Sequence, residues 1–184
     1  MEGRQAEPTF DEIADQVLEI FNGVTQGQLK RDLPLIAEQG VDSLDMTEAA
    51  FDIEDRFGLE FPEREPLMEL SKRLPPDTVV RDQILTPRGR ELLLERMPEL
   101  SGVTLPEDLG VYDVARYWTV DTFARLIHDV FTHMAREDES GRPSAVWDGD
   151  RFVHPDSGEP VEPPPGEELL ELWLERKVAE ELDR

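Results

Sequence analysis

Apolar residues in the first sixty positions recur at helical spacing, with no strand-like alternation. Phe10, Ile13, Val17, Ile20, Phe21 and Val24 mark one face of an amphipathic helix. Thr9 followed by Glu12 is a capping-box signature, and Asp11 and Glu12 suit a first turn. Asn22 and Gly23 begin the exit. Residues 25–42 form a long connection in which Pro34 breaks any helix. Leu29, Leu33, Leu35 and Ile36 are available to pin it to the core. A second periodic run starts at Asp42-Ser43. Met46, Ala50, Ile53 and Phe57 form its apolar face, widened by Leu44, Thr47 and Phe51, and Gly58 is placed to end it. Asp42 and Ser43 are both natural N-caps.

After Pro62 the pattern shortens. Pro66 to Leu74 holds a short helix that stops at Pro75-Pro76. Thr86 caps another, with Pro87 in the favoured first position, apolar surface from Leu92, Leu93, Met97 and Leu100, and Pro98 ending it. Gly102 to Trp118 reads as turns and short helices. Thr119-Val120-Asp121 opens a strongly periodic helix through Phe123, Leu126, Ile127, Val130 and Phe131. Ala135 to Ser144 is a polar linker. Two short apolar runs, Ala145-Val146-Trp147 and Arg151-Phe152-Val153-His154, flank Asp148-Gly149-Asp150 as a hairpin would. Pro163-Pro164-Pro165 is a stiff spacer. Glu167 to Leu182 is a closing helix whose apolar side carries Leu169, Leu170, Trp173, Leu174, Val178 and Leu182. Leaving those side chains in water is costly, so the tail is expected to fold back onto the insertion before the bundle's last helix. The predicted fold class is all-α with one short hairpin in the tail.

Ser43 falls where chemistry is available. A helix N-terminus presents unpaired N–H groups and the positive end of the helix dipole, which favour a phosphate. A serine there either caps the helix or carries a phosphodiester. The run Gly40-Val41-Asp42-Ser43-Leu44-Asp45, then Glu54-Asp55-Arg56-Phe57-Gly58-Leu59-Glu60-Phe61-Pro62, resembles the acyl carrier protein family. It matches that family's attachment serine and the helix after it, through to the closing proline. Gln39 departs, since the family usually has an apolar residue there, and this is expected to loosen the loop. Thr119-Val120 and Leu126-Ile127 resemble the start and interior of the family's terminal helix.

The resemblance implies an acyl-carrier-like helical bundle over residues 1–134, with 63–118 as an inserted helical region. Residues 135–184 are then a linker, hairpin-like segment and amphipathic helix. It implies a carrier holding acyl intermediates as thioesters on 4′-phosphopantetheine, attached to Ser43 between Asp42 and Leu44. Asp42 would help hold a Mg²⁺ while a phosphopantetheinyl transferase adds the arm from coenzyme A. Loading and condensing enzymes of fatty-acid, polyketide or related synthesis would bring basic patches to Asp45, Glu48, Asp52 and Asp55. Such a protein catalyses nothing itself. A peptidyl carrier for activated amino acids uses the same serine, and an unmodified acidic adaptor on the same fold is the alternative from another class.

Charge and composition narrow the field further. A net charge of −24 excludes unaided binding to nucleic acid or an anionic membrane. Over residues 1–63, Asp and Glu outnumber Lys and Arg 16 to 4, which favours basic partners. The chain contains no cysteine, so thiol chemistry requires an added group. No apolar run suits a membrane span or a signal peptide, and a cytoplasmic protein is expected. His128 and His133 do not share a helical face and His154 is distant, so no metal site is expected. Glycine-rich phosphate loops and nucleophile elbows are absent.

Overall fold

A computed structural model describes residues 7–137, 141 and 143–183, so the expected linker lies partly outside the described residues. Helix α1 (Phe10–Thr25) starts at the capping box: Thr9 Oγ1 accepts from Glu12 N at 3.3 Å, and Glu12 Oε2 accepts from Thr9 N at 2.8 Å. It continues past Asn22-Gly23, because Asn22 Oδ1 bonds the loop, accepting from Leu29 N at 2.7 Å, and leaves the helix intact. The connection holds a short helix, α2 (Leu35–Gln39). Pro34 therefore starts a helix where a break was expected: at the N-cap its missing N–H costs no intrahelical bond.

Helices α3 (Ser43–Phe57) and α6 (Val120–Met134) complete a bundle with α1 and α2. Gly58, at φ 60°, ends α3 in the left-handed conformation that glycine adopts without strain. Phe21, Ile53, Phe57, Phe123, Ile127 and Phe131 fill the core between these helices. Strands β3 (Val146–Trp147) and β4 (Phe152–Val153) pair antiparallel, Trp147 opposite Phe152, and close one end of that core. Both aromatic rings pack on Phe131, at centroid separations of 5.0 and 4.7 Å.

A second core lies between α3 and α6 in sequence. It is built by α4 (Pro66–Ser71), strands β1 (Val80–Arg81) and β2 (Ile84–Leu85), α5 (Pro87–Arg96) and 3-10 turns at Pro98–Gly102 and Val111–Tyr117. Pro98 ends one helix and opens the next turn. The β1–β2 hairpin was not foreseen, because its two-residue turn takes positive φ at Asp82 (51°) and Gln83 (67°), with no glycine to announce it. Helix α7 (Gly166–Leu182) covers this core and buries Leu170, Trp173 and Leu174. Trp118 packs against both cores.

The seating of α7 depends on Gly166. A Cβ there would meet Glu60 O at 2.4 Å and Pro62 N at 2.5 Å, so only glycine lets the helix start against that backbone. Glu167 Oε1 then accepts from Glu63 N (2.8 Å) and Arg64 N (3.1 Å), and its other oxygen pairs with Arg64. Ion pairs Arg73–Glu171 (2.5 Å), Arg88–Glu181 (2.5 Å) and Lys177–Glu95 (2.9 Å) follow along the helix. A half-exposed pair such as Arg73–Glu171 contributes at most about 1 kcal/mol, while Arg88–Glu181 is more enclosed, its glutamate side chain only 6% exposed. Each of the three buried side chains is worth roughly 1.5–3 kcal/mol, so apolar burial holds the helix down and the charges set its register.

Candidate functional site

Asp42, not Ser43, caps α3. Asp42 Oδ1 accepts from Leu44 N (2.7 Å) and Asp45 N (2.9 Å), and Asp45 Oδ2 accepts in return from Asp42 N (3.1 Å). Ser43 occupies the first helical position, exposed, and its Oγ makes no hydrogen bond among the described residues. Its carbonyl is fixed by Thr47 Oγ1, which donates to it at 2.8 Å. The hydroxyl thus stands on a rigid element without a competing role. One expectation changes: two first-turn N–H groups face the Asp42 carboxylate, so the helix end is not an open anion cradle. Ser43 is exposed, so a phosphodiester on its Oγ has room in solvent.

The loop before the serine is held more firmly than expected. Gln39 Nε2 donates to Lys30 O and Leu33 O, each at 2.9 Å, and Gln39 Oε1 accepts from Lys30 N at 2.6 Å. An amide at this position staples the loop through its backbone, which an apolar side chain cannot do. Gly40, at φ 75°, then turns the chain toward Asp42.

Helix α3 presents three stripes. Ala49, Ile53 and Phe57 are buried in the bundle. Glu48, Asp52 and Asp55 form an exposed acidic row, while Asp45 is committed to the cap. Leu44 and Phe51 do not widen the core face: they are 76% and 63% exposed, with Thr47 between them. Periodicity counted them as core because they are apolar, yet Phe51 lies on the side of α3 that faces the second core and Leu44 is simply exposed.

Between that stripe and the second core lies a cavity of about 780 Å³, within the ~300–1,000 Å³ of small-molecule sites. Met46, Thr47, Ala50 and Phe51 form one wall, starting one turn beyond Ser43, and Tyr112 and Trp118 stand across from them. Arg96, at the end of α5, contributes to this wall and to that of a second cavity under α7. Its guanidinium lies 4.4 Å from the Trp173 ring centroid, while its Nε is sealed from solvent with no hydrogen-bond partner. Burial pushes its pKa down; Asp129 and Glu65 oppose this through space. Burial also pushes the Glu65 carboxyl up, against the bond it accepts from Met68 N at 2.5 Å. Met46, Thr47, Ala50 and Phe51 were legible as apolar positions of α3, but Arg96, Tyr112 and Trp118 did not stand out in the sequence; the available signal was three aromatic residues, Tyr112, Tyr117 and Trp118, within seven positions.

Residues 12–71 of the 184 match the family described as "Phosphopantetheine attachment site". No curated protein and no solved structure matches the chain. The matched segment runs from α1 through α4, with Ser43, its Asp42 cap and the whole of α3 inside it. The match supports an acyl carrier protein-like family for this segment, a domain that is the site of covalent 4′-phosphopantetheine attachment. It supports a phosphopantetheine-carrier role in general. Helix α6 lies outside the matched segment, yet it packs against α1 and shares the bundle core. Among the described residues no helix is long and apolar enough to cross a membrane, and no cluster of His, Asp and Glu could hold a metal ion.

Proposed function

We propose that Ser43 carries the 4′-phosphopantetheine arm and that the protein delivers acyl intermediates, held as thioesters on it, to enzymes of fatty-acid, polyketide or related synthesis. The observation behind this reading is the uncommitted, exposed Ser43 hydroxyl beside a cap supplied wholly by Asp42. Attachment requires the Ser43 oxygen to attack the pantetheine-bearing phosphorus of coenzyme A. The bond from that phosphorus to the nucleotide's phosphate breaks, and the hydroxyl proton passes to a base of the transferase. Asp42 and Leu44 flank the site and meet that enzyme. Glu48, Asp52 and Asp55, with Asp45 at their head, offer basic partners a docking row. Residues 1–134 act as the carrier region, elaborated over 63–118, and 135–184 as a tail that steadies it. The protein itself catalyses nothing. The apolar cavity along α3 favours an acyl over an aminoacyl cargo.

Intact-mass measurement after incubation with coenzyme A and a broad-specificity phosphopantetheinyl transferase tests the reading. One added phosphopantetheine, lost in Ser43→Ala, is expected. No addition with several transferases, or addition to Ser43→Ala, overturns it and leaves an unmodified adaptor. Productive loading by aminoacyl-activating enzymes alone points to a peptidyl carrier.

A further inference from the structure

The cavity along α3 is apolar for most of its wall, but its unmet polar groups are all of one kind. Arg96 Nε and Trp118 Nε1 are both buried N–H groups without hydrogen-bond partners, and both residues line this cavity. Neither side chain can accept, so only a ligand bringing acceptor atoms satisfies them. Of the four glutamates on the same wall, Glu54 and Glu65 are engaged, Glu54 Oε1 accepting from Phe61 N (2.7 Å) and Glu65 Oε2 from Met68 N (2.5 Å), while Glu60 and Glu63 lie toward its rim. Among the described residues no carboxylate lies in ion-pair contact with Arg96; Glu65 and Asp129 act on it only through space. A buried guanidinium without a hydrogen-bonded counter-ion is costly unless something supplies one.

The wall also approaches the serine: it includes Met46 and Thr47, one turn from Ser43, the exposed Phe51, and Arg96 on another helix. From Ser43 to Phe51 the α3 axis rises about 12 Å. A chain carried at the end of the arm on Ser43 can fold back along this wall with its apolar part against Met46, Ala50 and Phe51.

We propose that the cavity selects an acyl group whose far end bears a carboxylate, the half-thioester of a dicarboxylic acid, received by Arg96 and Trp118. This rests on the carrier reading of Ser43 and names its cargo. The methylene segment fills the apolar wall, and the Arg96 and Trp118 side chains, whose N–H groups are closed off in the unliganded protein, turn to donate to the distal carboxylate. An ordinary fatty acyl chain of the same length leaves both groups unmet. Charge-assisted hydrogen bonds are roughly twice as strong as neutral ones, so the preference falls on the anionic end group.

The test uses the full-length protein carrying octanoyl- or suberoyl-phosphopantetheine, with dodecanoyl and dodecanedioyl as a longer pair. Loading is checked first by intact mass. Cleavage of each thioester by hydroxylamine is then timed and normalised to the free acyl-pantetheine, because a seated chain shields its thioester. The dicarboxylic half-thioester of at least one pair should be cleaved about tenfold more slowly than its fatty partner, the scale of a charge-assisted bond. Arg96→Met should erase that difference while leaving the fatty chains' protection intact. Trp118→Phe, which keeps the aromatic packing and removes only the N–H, should reduce it in part. Equal cleavage within both pairs in the wild type overturns the proposal even if the variants do not fold. So does a difference that Arg96→Met leaves unchanged. If the arm does not load at Ser43, the carrier reading itself fails at the mass measurement, and this inference with it.

Discussion

Replacing Asp42 and Ser43 separately with alanine tests the division of labour at the head of α3. Asp42 accepts two backbone N–H bonds and receives one back through the Asp45 box. Losing an aspartate N-cap to alanine typically costs ~1 kcal/mol, within a range of about 0.5–2. The buried groove side of the helix start is thin here, with Leu44 76% exposed, so little packing compensates. We expect Asp42→Ala to destabilise by about 1–2 kcal/mol, a fall in Tm of roughly 2–8 °C for a chain of this size. Ser43→Ala removes an exposed hydroxyl that bonds nothing and installs the best helix former. Its cost should lie within about 0.5 kcal/mol. Urea denaturation followed by circular dichroism measures both, and the urea slope should be unchanged in each. Mass spectrometry should show the opposite ranking, with modification abolished in Ser43→Ala and slowed but not lost in Asp42→Ala. Equal destabilisation by the two variants would mean that Ser43 helps to cap, and the argument for its free hydroxyl would collapse.

Reversing two of Glu48, Asp52 and Asp55 to lysine should slow association with a basic partner enzyme by stopped-flow, and the wild-type rate should fall with salt; rates indifferent to both leave the row as solvated charge. Removing residues 163–184 exposes the surface that Leu170, Trp173 and Leu174 cover. It should lower Tm sharply while leaving Ser43 open to modification, whereas a cut at Ala135 also strips Trp147 and Phe152 from the bundle core and should do further damage. The Glu99 carboxyl is buried without a hydrogen-bond partner, 3.6 Å from Arg125, and burial raises its pKa. Its contribution is therefore favourable below the usual carboxylate range and lost as pH rises through the raised value. Glu99→Gln should stabilise at neutral pH with no gain in acid, by thermal melts across pH; a gain that persists in acid would point to packing instead.

What the sequence disclosed was mostly local. Thr9, Asp42, Thr119 and Gly58 fix helix ends through contacts within a turn, so α1, α3 and α6 were legible to within a few residues. The Asp148 turn was equally plain, since its carboxylate accepts from Asp150 N and Arg151 N. Long-range choices were not. Leu44 and Phe51 have the spacing of core residues, yet Leu44 is exposed, and only the position of the second core shows that Phe51 borders a cavity. Arg96 looks like any surface arginine at a helix end until α7 lays Trp173 against it. Gln39 appeared as a loss of apolar packing because its three hydrogen bonds reach back six to nine residues.

The clamp of Glu167 on the backbone of Glu63 and Arg64 joins positions 104 and 103 residues apart. During synthesis the bundle's first three helices emerge early, but the second core waits for Trp173 and Leu174. Until then α4 and α5 show the ribosome-bound chain's surroundings an uncovered apolar face. Closing so long a loop adds little to the equilibrium cost, since that cost grows only with the logarithm of length. It does raise the share of distant contacts and so slows the search for them. Ser43 can therefore be presented to a transferase before the wall opposite it exists, and attachment of the arm need not wait for the cavity to form.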